Sequence, residues 1–583
     1  MPDTYVLGVS AHYHDSAACL LKNGEVVAAA QQERFSRKKH DNGFPKEAIE
    51  YCLSEADIVP ARVDYIGFYE KPFLKFERLL YQMIDTFPWS AHAFIDSLPS
   101  WLSEKLAIPS TIEGHGFKAK TFFVEHHRSH AAGTYLASPF DSAAILTMDG
   151  VGEWATTTMG EGKDNTITLS KEIHFPHSVG LLYSAITAYL GFSVNNSEYK
   201  VMGLAPYGKN SYQKEFDELM QVFADGSFAL NMKYFSFHHA KSMFSPEMES
   251  LFGQPPRKKE SAVTEFHQDM AASLQAKTEE VILGLLNHLY QETKQQNVCL
   301  SGGVALNSVA NGKILRRTPF KRLFIQPAAG DAGSAMGAAL YVHNVVLGNA
   351  HRFRMKHAYW GPGFGDVEIR RFLDEKKINY QSFDSHHALS KKVAELVWDN
   401  QVVGWFQGRM EWGPRALGAR SILSNPCNPE MQNILNLRVK HRERFRPFAP
   451  VIAEESINDW FEADTPTPDP TDYMLMVYPI KKAKQKKIPA VTHVDGSGRL
   501  QTVRKGQNPN YYSVIKEFEK LSGVPILINT SFNIRGEPIV CTPAQAYRCM
   551  MGTGIDYLAM GSFLIPRKEN LRDAWDSESI AMD

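Results

Sequence analysis

The chain has 583 residues, 63 Lys plus Arg against 64 Asp plus Glu, 44% hydrophobic and 22% charged residues. At roughly 100–200 residues per domain this length needs more than one core, and the apolar and aromatic content excludes a mostly disordered chain. A formal net charge of −1 argues against a coat for nucleic acid or an anionic membrane, and no apolar run approaches the ~20 residues that span a bilayer.

In chain order, the N-terminus Met1-Pro2-Asp3-Thr4 carries no basic segment before the first strand, so a cytoplasmic location is expected. Tyr5–Ser10 reads as a short apolar strand. Ala17–Leu21, Asn23-Gly24 and Glu25–Ala30 read as a hairpin, because Asn-Gly supplies two positive-φ positions. Helical text follows Pro45. The same order recurs: strand Ala143–Met148, polar loop Asp149-Gly150-Val151-Gly152-Glu153, strand Trp154–Met159, a turn at 162–165, and strand Thr166–Ile173. Strand, polar loop, strand, turn, strand, occurring twice, is the opening of each half in the duplicated actin/Hsp70-like ATPase fold, whose loops face a phosphate.

Val298–Leu300 then opens onto Ser301-Gly302-Gly303-Val304-Ala305-Leu306-Asn307, and Gln326-Pro-Ala-Ala-Gly330-Asp331 leads into another small-residue helix. Paired glycines at a helix start let backbone N–H groups approach an anion. Gly203-Leu-Ala-Pro-Tyr-Gly208-Lys209-Asn210 is rejected as a P-loop, since Asn210 replaces the Ser or Thr that would hold magnesium. A domain boundary is expected near 345–360, dividing the chain into 1–350 and 351–583. Beyond it come helix Leu389–Asn400, strand Val402–Phe406, and an exposed excursion over Thr465–Thr471 and Lys481–Lys487. The six cysteines are scattered without a C-x-x-C pair and read as reduced thiols.

Three groups of residues carry chemistry. In Glu125-His126-His127-Arg128-Ser129-His130, His126 and His130 stand four apart, so on a helix both imidazoles leave one face and can share a metal. His127 is second choice to His126. Asp149 and Asp331, at loop positions, complete a mixed N/O set that suits iron(II), manganese or zinc. The segment Gly408–Ser421, with Arg409, Arg415 and Arg420, and the segment Lys440–Phe448 concentrate cations between glycines and prolines, as an anion pocket would; a solvated basic face is the alternative. Strand Pro525–Asn529 ends in Thr530-Ser531-Phe532-Asn533, and Thr492–Arg499 is a similar polar turn. Neither has a nucleophile elbow, so serine-hydrolase chemistry is unsupported.

Six segments, in this order, resemble the NodU/CmcH family of O-carbamoyltransferases over essentially the whole chain: Gly8-Val-Ser-Ala-His-Tyr-His14-Asp15, His126-His-Arg-Ser-His130, Glu198-Tyr-Lys-Val-Met-Gly-Leu-Ala-Pro-Tyr-Gly208, Trp412-Gly-Pro-Arg415, Phe445-Arg-Pro-Phe-Ala-Pro450 and Asn529-Thr-Ser-Phe-Asn533. The resemblance implies an α/β chain: an N-terminal domain similar to the tRNA threonylcarbamoyl transferase TsaD and to part of the hydrogenase-maturation protein HypF, then a YrdC-like α/β domain. It implies that the second domain joins carbamoyl phosphate to ATP as carbamoyl adenylate, and that the first passes the carbamoyl group to a hydroxyl of a small-molecule natural product. By motif, His126, His130, Asp149 and Asp331 are expected as metal ligands, with iron(II) the family's ion and magnesium accompanying ATP. His14 is expected as the base at the acceptor hydroxyl, and Gly150, Gly302, Gly303 and Asn307 along the adenylate. Arg415, Lys440, Arg446, Arg499, Ser531 and Asn533 form the expected carbamoyl-phosphate and nucleotide set, Arg415 and Lys440 in catalytic roles. Expected partners are the hydroxyl acceptor and a second copy in a homodimer, with neither nucleic acid nor membrane. The competing readings are an actin/Hsp70-like ATPase or sugar kinase with a regulatory domain, and threonylcarbamoyl transfer to tRNA.

Overall fold

A computed structural model describes residues 3–577. The chain falls into two compact units, one made of residues up to Gln32 together with His40–Met355, the other of Glu33–Lys39 together with everything from Lys356.

The first unit contains two five-stranded sheets. One runs β3-β2-β1-β4-β5, from β1 (Tyr5–Ser10), β2 (Ala17–Lys22), β3 (Glu25–Gln31), β4 (Tyr65–Phe68) and β5 (Lys120–Phe123). The other runs β8-β7-β6-β11-β12, from β6 (Ser142–Met148), β7 (Ala155–Lys163), β8 (Thr166–His174), β11 (Asn297–Ser301) and β12 (Arg322–Ile325). Each sheet is an antiparallel three-strand meander whose first strand then pairs in parallel with the fourth, and the fourth with the fifth. One strand order used twice is the duplicated actin/Hsp70-like core. A two-stranded ribbon, β9 (Met220–Val222) and β10 (Phe228–Leu230), stands apart.

The hairpin turns as its sequence requires, with Asn23 at φ 52° and Gly24 at φ 89°. The second meander differs from expectation in length. Strand β7 continues to Lys163, with the turn at Asp164-Asn165 and Asp164 taking the positive φ. No strand leads into Gly203–Asn210, which lies at the end of helix Glu198–Leu204.

Two helices packed on these sheets position the chemistry. Helix Asp331–Leu340 (DAGSAMGAAL) is buried throughout and packs on β1, β2 and β4, while helix His126–Tyr135 packs on β6 and β11. Small residues let them approach closely. A Cβ on Gly337 would stand 1.8 Å from the Ser129 carbonyl oxygen, and one on Gly8 of β1 would stand 1.8 Å from that of Ala335.

The second unit is built on one mixed nine-stranded sheet, β13-β21-β20-β14-β15-β19-β16-β18-β17. Its strands are β13 (Gln381–Ser382), β14 (Val403–Phe406), β15 (Arg420–Ser424), β16 (Ala449–Ala453), β17 (Met476–Pro479), β18 (Ser497–Val503), β19 (Ile526–Ser531), β20 (Tyr557–Met560) and β21 (Phe563–Pro566). Nothing in the sequence marks Glu33–Lys39 as part of it. The physical reason is a clasp: Arg34 donates to the Gly413 carbonyl at 2.9 Å, Arg37 to Ile539 and Pro538 carbonyls at 2.7 and 2.6 Å, and Phe35 packs on Met410, Ala416, Ile539 and Cys541. The excursion is exposed only in part. Lys481–Lys487 is largely exposed, but Pro468, Pro470 and Thr471 are buried, and Thr471 bonds Thr502 on β18 at 3.0 Å.

Candidate functional site

In the first unit the His126–Tyr135 helix begins against a carboxylate. Glu153 accepts the His126 backbone N–H at 3.0 Å, satisfying an orphan donor at the positive helix end. From there the spacing of four brings two imidazoles to one point, with Nε2 atoms of His126 and His130 3.0 Å apart. Asp149, just past β6, places Oδ2 at 2.9 and 3.2 Å from them. Asp331, the first residue of its helix, sets Oδ1 at 3.6 and 3.4 Å. All four residues are buried, and their donor atoms lie within 4.8 Å of one another.

This group fits a divalent cation. Asp331 is fully buried, yet neither of its oxygens accepts a hydrogen bond. Two buried carboxylates facing two ring nitrogens are costly without a positive charge between them. In the protein alone a proton supplies part of that charge: burial would lower the His130 pKa, but Asp149 and Asp331 hold it up to about 9. The supporting bonds are those of a ligand set. The Nδ1 of His130 meets Ser334 Oγ at 3.1 Å and Ser301 Oγ at 3.3 Å, and Asp149 Oδ1 accepts the Gly303 N–H at 3.1 Å. His127 turns away, with Nδ1 2.6 Å from Thr147 Oγ1 and Nε2 2.9 Å from the Ala155 carbonyl, and burial pushes its pKa well down. It is a strut of the core.

His14 stands beside this group, its Nε2 3.8 Å from Asp331 Oδ2. Asp15 orients the ring through Nδ1 at 3.0 Å, and the other Asp15 oxygen takes His40 Nδ1 at 2.7 Å. Burial would lower the His14 pKa, but the Asp331 and Asp15 carboxylates raise it to about 10. A cation on Asp331 would cancel the first of these attractions, and so return the ring toward the neutral form a base needs.

The expected adenylate residues divide. Gly150 keeps an open backbone, the nearest atom to an added Cβ being Leu181 Cδ2 at 4.0 Å. Gly302, Gly303 and Asn307 are engaged within the unit. Gly302 (φ 93°) would place a Cβ 2.0 Å from the Met148 carbonyl oxygen, and its N–H donates to Ala329. Gly303 serves Asp149, and Asn307 caps Ala310 N–H at 3.1 Å while exchanging two bonds with Gln275. These residues hold Asp149 and the following turn in place.

In the second unit Lys440, Ser531 and Asn533 come together. Lys440 is 3% exposed and its ammonium donates to the Ser531 carbonyl, to the Asn533 carbonyl and to Asn533 Oδ1, the last two at 2.9 Å. Burial drives its pKa well below the ordinary lysine value, with Arg442 and Arg446 acting the same way. Arg446 faces Glu443 at 3.5 Å. Arg415 rides on a loop fixed by Glu411, whose Oε1 accepts the N–H groups of Leu417, Ala419 and Arg420 at 2.7, 2.7 and 3.0 Å. Asn529 and Gln501 hold the same loop through the Ala416 and Leu417 carbonyls, each at 2.9 Å. Arg499 lies on β18 opposite Val477, two strands from the β19 end that carries Ser531. Arg420 is structural: fully buried, it donates to the Gln407, Gly408, Ala419 and Pro362 carbonyls and stacks on Phe406 at 3.6 Å. Glu153, Glu411 and the serine pair were not singled out in the sequence; a lone buried Glu or Ser carries no spacing signal.

Comparison with known proteins gives the family. The sequence model described as "Carbamoyltransferase N-terminus" matches residues 5–340, and "Carbamoyltransferase C-terminus" matches 394–567. The nodulation protein NolNO of Sinorhizobium fredii is 36% identical over 100% of this chain and 82% of its own. An uncharacterised Synechocystis protein is 48% identical over 97% of both chains. Among solved structures, T. kodakarensis HypF aligns over 60% of this chain and 49% of its own at 15% identity, TM-score 0.31. With both halves matched in order, the chain belongs to the carbamoyltransferase family and is a carbamoyltransferase.

Proposed function

We propose that this carbamoyltransferase works in two steps: water first splits carbamoyl phosphate into carbamate and phosphate, and a carbamate oxygen displaces pyrophosphate from the α-phosphorus of ATP to give carbamoyl adenylate; the carbamoyl group then passes to a hydroxyl of a small molecule with release of AMP. The observation that carries the reading is the buried His126, His130, Asp149 and Asp331 group with His14 directly beside it. The oxygens and nitrogens of that group suit iron(II), which when bound supplies a fixed positive charge for the oxygen that becomes more negative as AMP departs.

His14 takes the acceptor proton at Nε2, while Asp15 holds Nδ1 and stabilises the ring as it becomes charged. In the second unit Lys440 and Arg446 offset phosphate charge, Ser531 and Asn533 orient Lys440, and the Glu411-bound loop presents Arg415 as a planar fork. The acceptor is a small hydroxyl compound and not tRNA, a reading supported by the net charge of −1.

Product analysis tests this. With ATP and carbamoyl phosphate, AMP and pyrophosphate accumulate only when both substrates are present and an acceptor is added. Conversion of ATP to ADP without regard to carbamoyl phosphate would instead show a kinase or simple ATPase.

A further inference from the structure

The helix Pro72–Asp85 in the first unit departs from an ordinary surface helix in what its most buried face carries, two cations. Of its four charged residues Glu77 and Asp85 are exposed, but Lys75 and Arg78, three apart, are each 5% exposed, whereas Phe73, Tyr81 and Ile84 are 72%, 58% and 67% exposed. Burying two cations while leaving large apolar side chains in water costs free energy twice over. Such an arrangement persists where the inward charges have a use.

Lys75 is compensated within the protein, its Nζ 2.6 Å from Glu70 Oε2, and it lies 4.6 Å from the centre of the Tyr13 ring. Arg78 is not compensated in this way. Its guanidinium sits 4.8 Å over the Phe175 ring, its Nε is buried without a hydrogen-bond partner, and its contact with Gln82 Oε1 is long, at 3.5 Å. Among the described residues no carboxylate pairs with it. Tyr13 links these cations to the reacting centre, since its ring is 4.6 Å from that of His14. His12, from the same loop, also keeps a buried Nε2 without a partner.

We infer that Tyr13, Lys75 and Arg78 wall the acceptor subsite, and that the acceptor carries an anionic group, phosphate or carboxylate, received by the Arg78 guanidinium. This rests on the proposed role of His14 at the acceptor hydroxyl. The fork of Arg78 matches the two oxygens of such a group, and in a site this dry the pair is strong. A cationic acceptor would instead meet the Arg78 charge, since Glu70 already offsets Lys75.

The test is titration calorimetry on the full chain with glucose 6-phosphate, glucuronate and glucose, comparing wild type, Arg78→Gln and Arg78→Lys. Wild type is expected to bind the two anionic sugars at least about tenfold more tightly than glucose, a difference of one decade in Kd. Arg78→Gln abolishes that preference and Arg78→Lys keeps part of it. Thermal unfolding, measured on the same samples, gives wild-type midpoints in both variants and reports that they are folded. Equal anion preference in wild type and Arg78→Gln, or no preference in wild type, overturns the acceptor assignment. Absence of carbamoyl-phosphate-dependent exchange of pyrophosphate into ATP in wild type, a reading that needs no acceptor, overturns the two-step reading itself, so the two failures are distinct.

Discussion

His130 is the residue on which the first unit's chemistry converges, touching His126, Asp149 and Asp331 through Nε2 and Ser301 and Ser334 through Nδ1. His130→Ala is therefore expected to lose bound metal and carbamoyl transfer together, as read by elemental analysis and by the mass gain of the acceptor. Ser334→Ala removes only a support, and the expected cost is ~10-fold in metal affinity, the lower end for an outer partner. His14→Asn keeps the metal but slows transfer by about 10²–10⁴-fold, the span of a lost general base; an unchanged rate would remove His14 from the reaction.

These residues were readable because their spacing is chemical. A His four residues from a His on a helix, and an Asp at the end of a buried strand, leave a pattern in one dimension. Arg78 left none, because its helix has the ordinary apolar period and only burial shows which face turns inward. Nor did the spacing say that Gly303 and Asn307 spend their hydrogen bonds on Asp149, Ala310 and Gln275.

Elements bring these residues together through backbone contact between small residues. Asp331 meets His126 and His130 because its helix lies against theirs at Gly337 and Gly133. A methyl group at residue 337 would stand 1.8 Å from the Ser129 carbonyl oxygen, so Gly337→Ala must part the helices. A destabilisation of ~1–3 kcal/mol is expected in denaturant unfolding, together with weaker metal binding. A native-like variant with full metal content would contradict this account of the site's assembly. The hairpins were legible because Asn-Gly and Asp-Asn have local turn chemistry, whereas the clasp of Arg34 and Arg37 pairs residues about 380 and 500 positions apart and has no local trace.

In the second unit, burial raises the Asp472 pKa to about 6, with Arg504 opposing. The folded state then binds this proton more tightly than the unfolded chain, so its contribution to stability falls as pH rises from about 4 to about 6. Asp472→Asn is expected to raise the Tm of this unit at pH 7 and to leave it unchanged near pH 3.5. A variant less stable at pH 7 would show that the charged form is the favoured one.

For the whole molecule, the balanced 63 against 64 charges is an average over two differently built sites. One unit gathers imidazoles and carboxylates whose donor atoms lie within 4.8 Å of one another; the other gathers Lys440, Arg442 and Arg446, the cations proposed to offset phosphate charge. The duplication of the first unit could be read from two matching strand-loop-strand passages, and the parallel additions of β4–β5 and β11–β12 that complete it are long-range pairings. The two units should therefore fail separately. Exchange of labelled pyrophosphate into ATP, dependent on carbamoyl phosphate, isolates the first step from transfer. The account predicts exchange in wild type and in His130→Ala, which makes no carbamoylated product, and no exchange in Lys440→Ala. Loss of exchange in His130→Ala, or its persistence in Lys440→Ala, would contradict the division of the reaction between two sites.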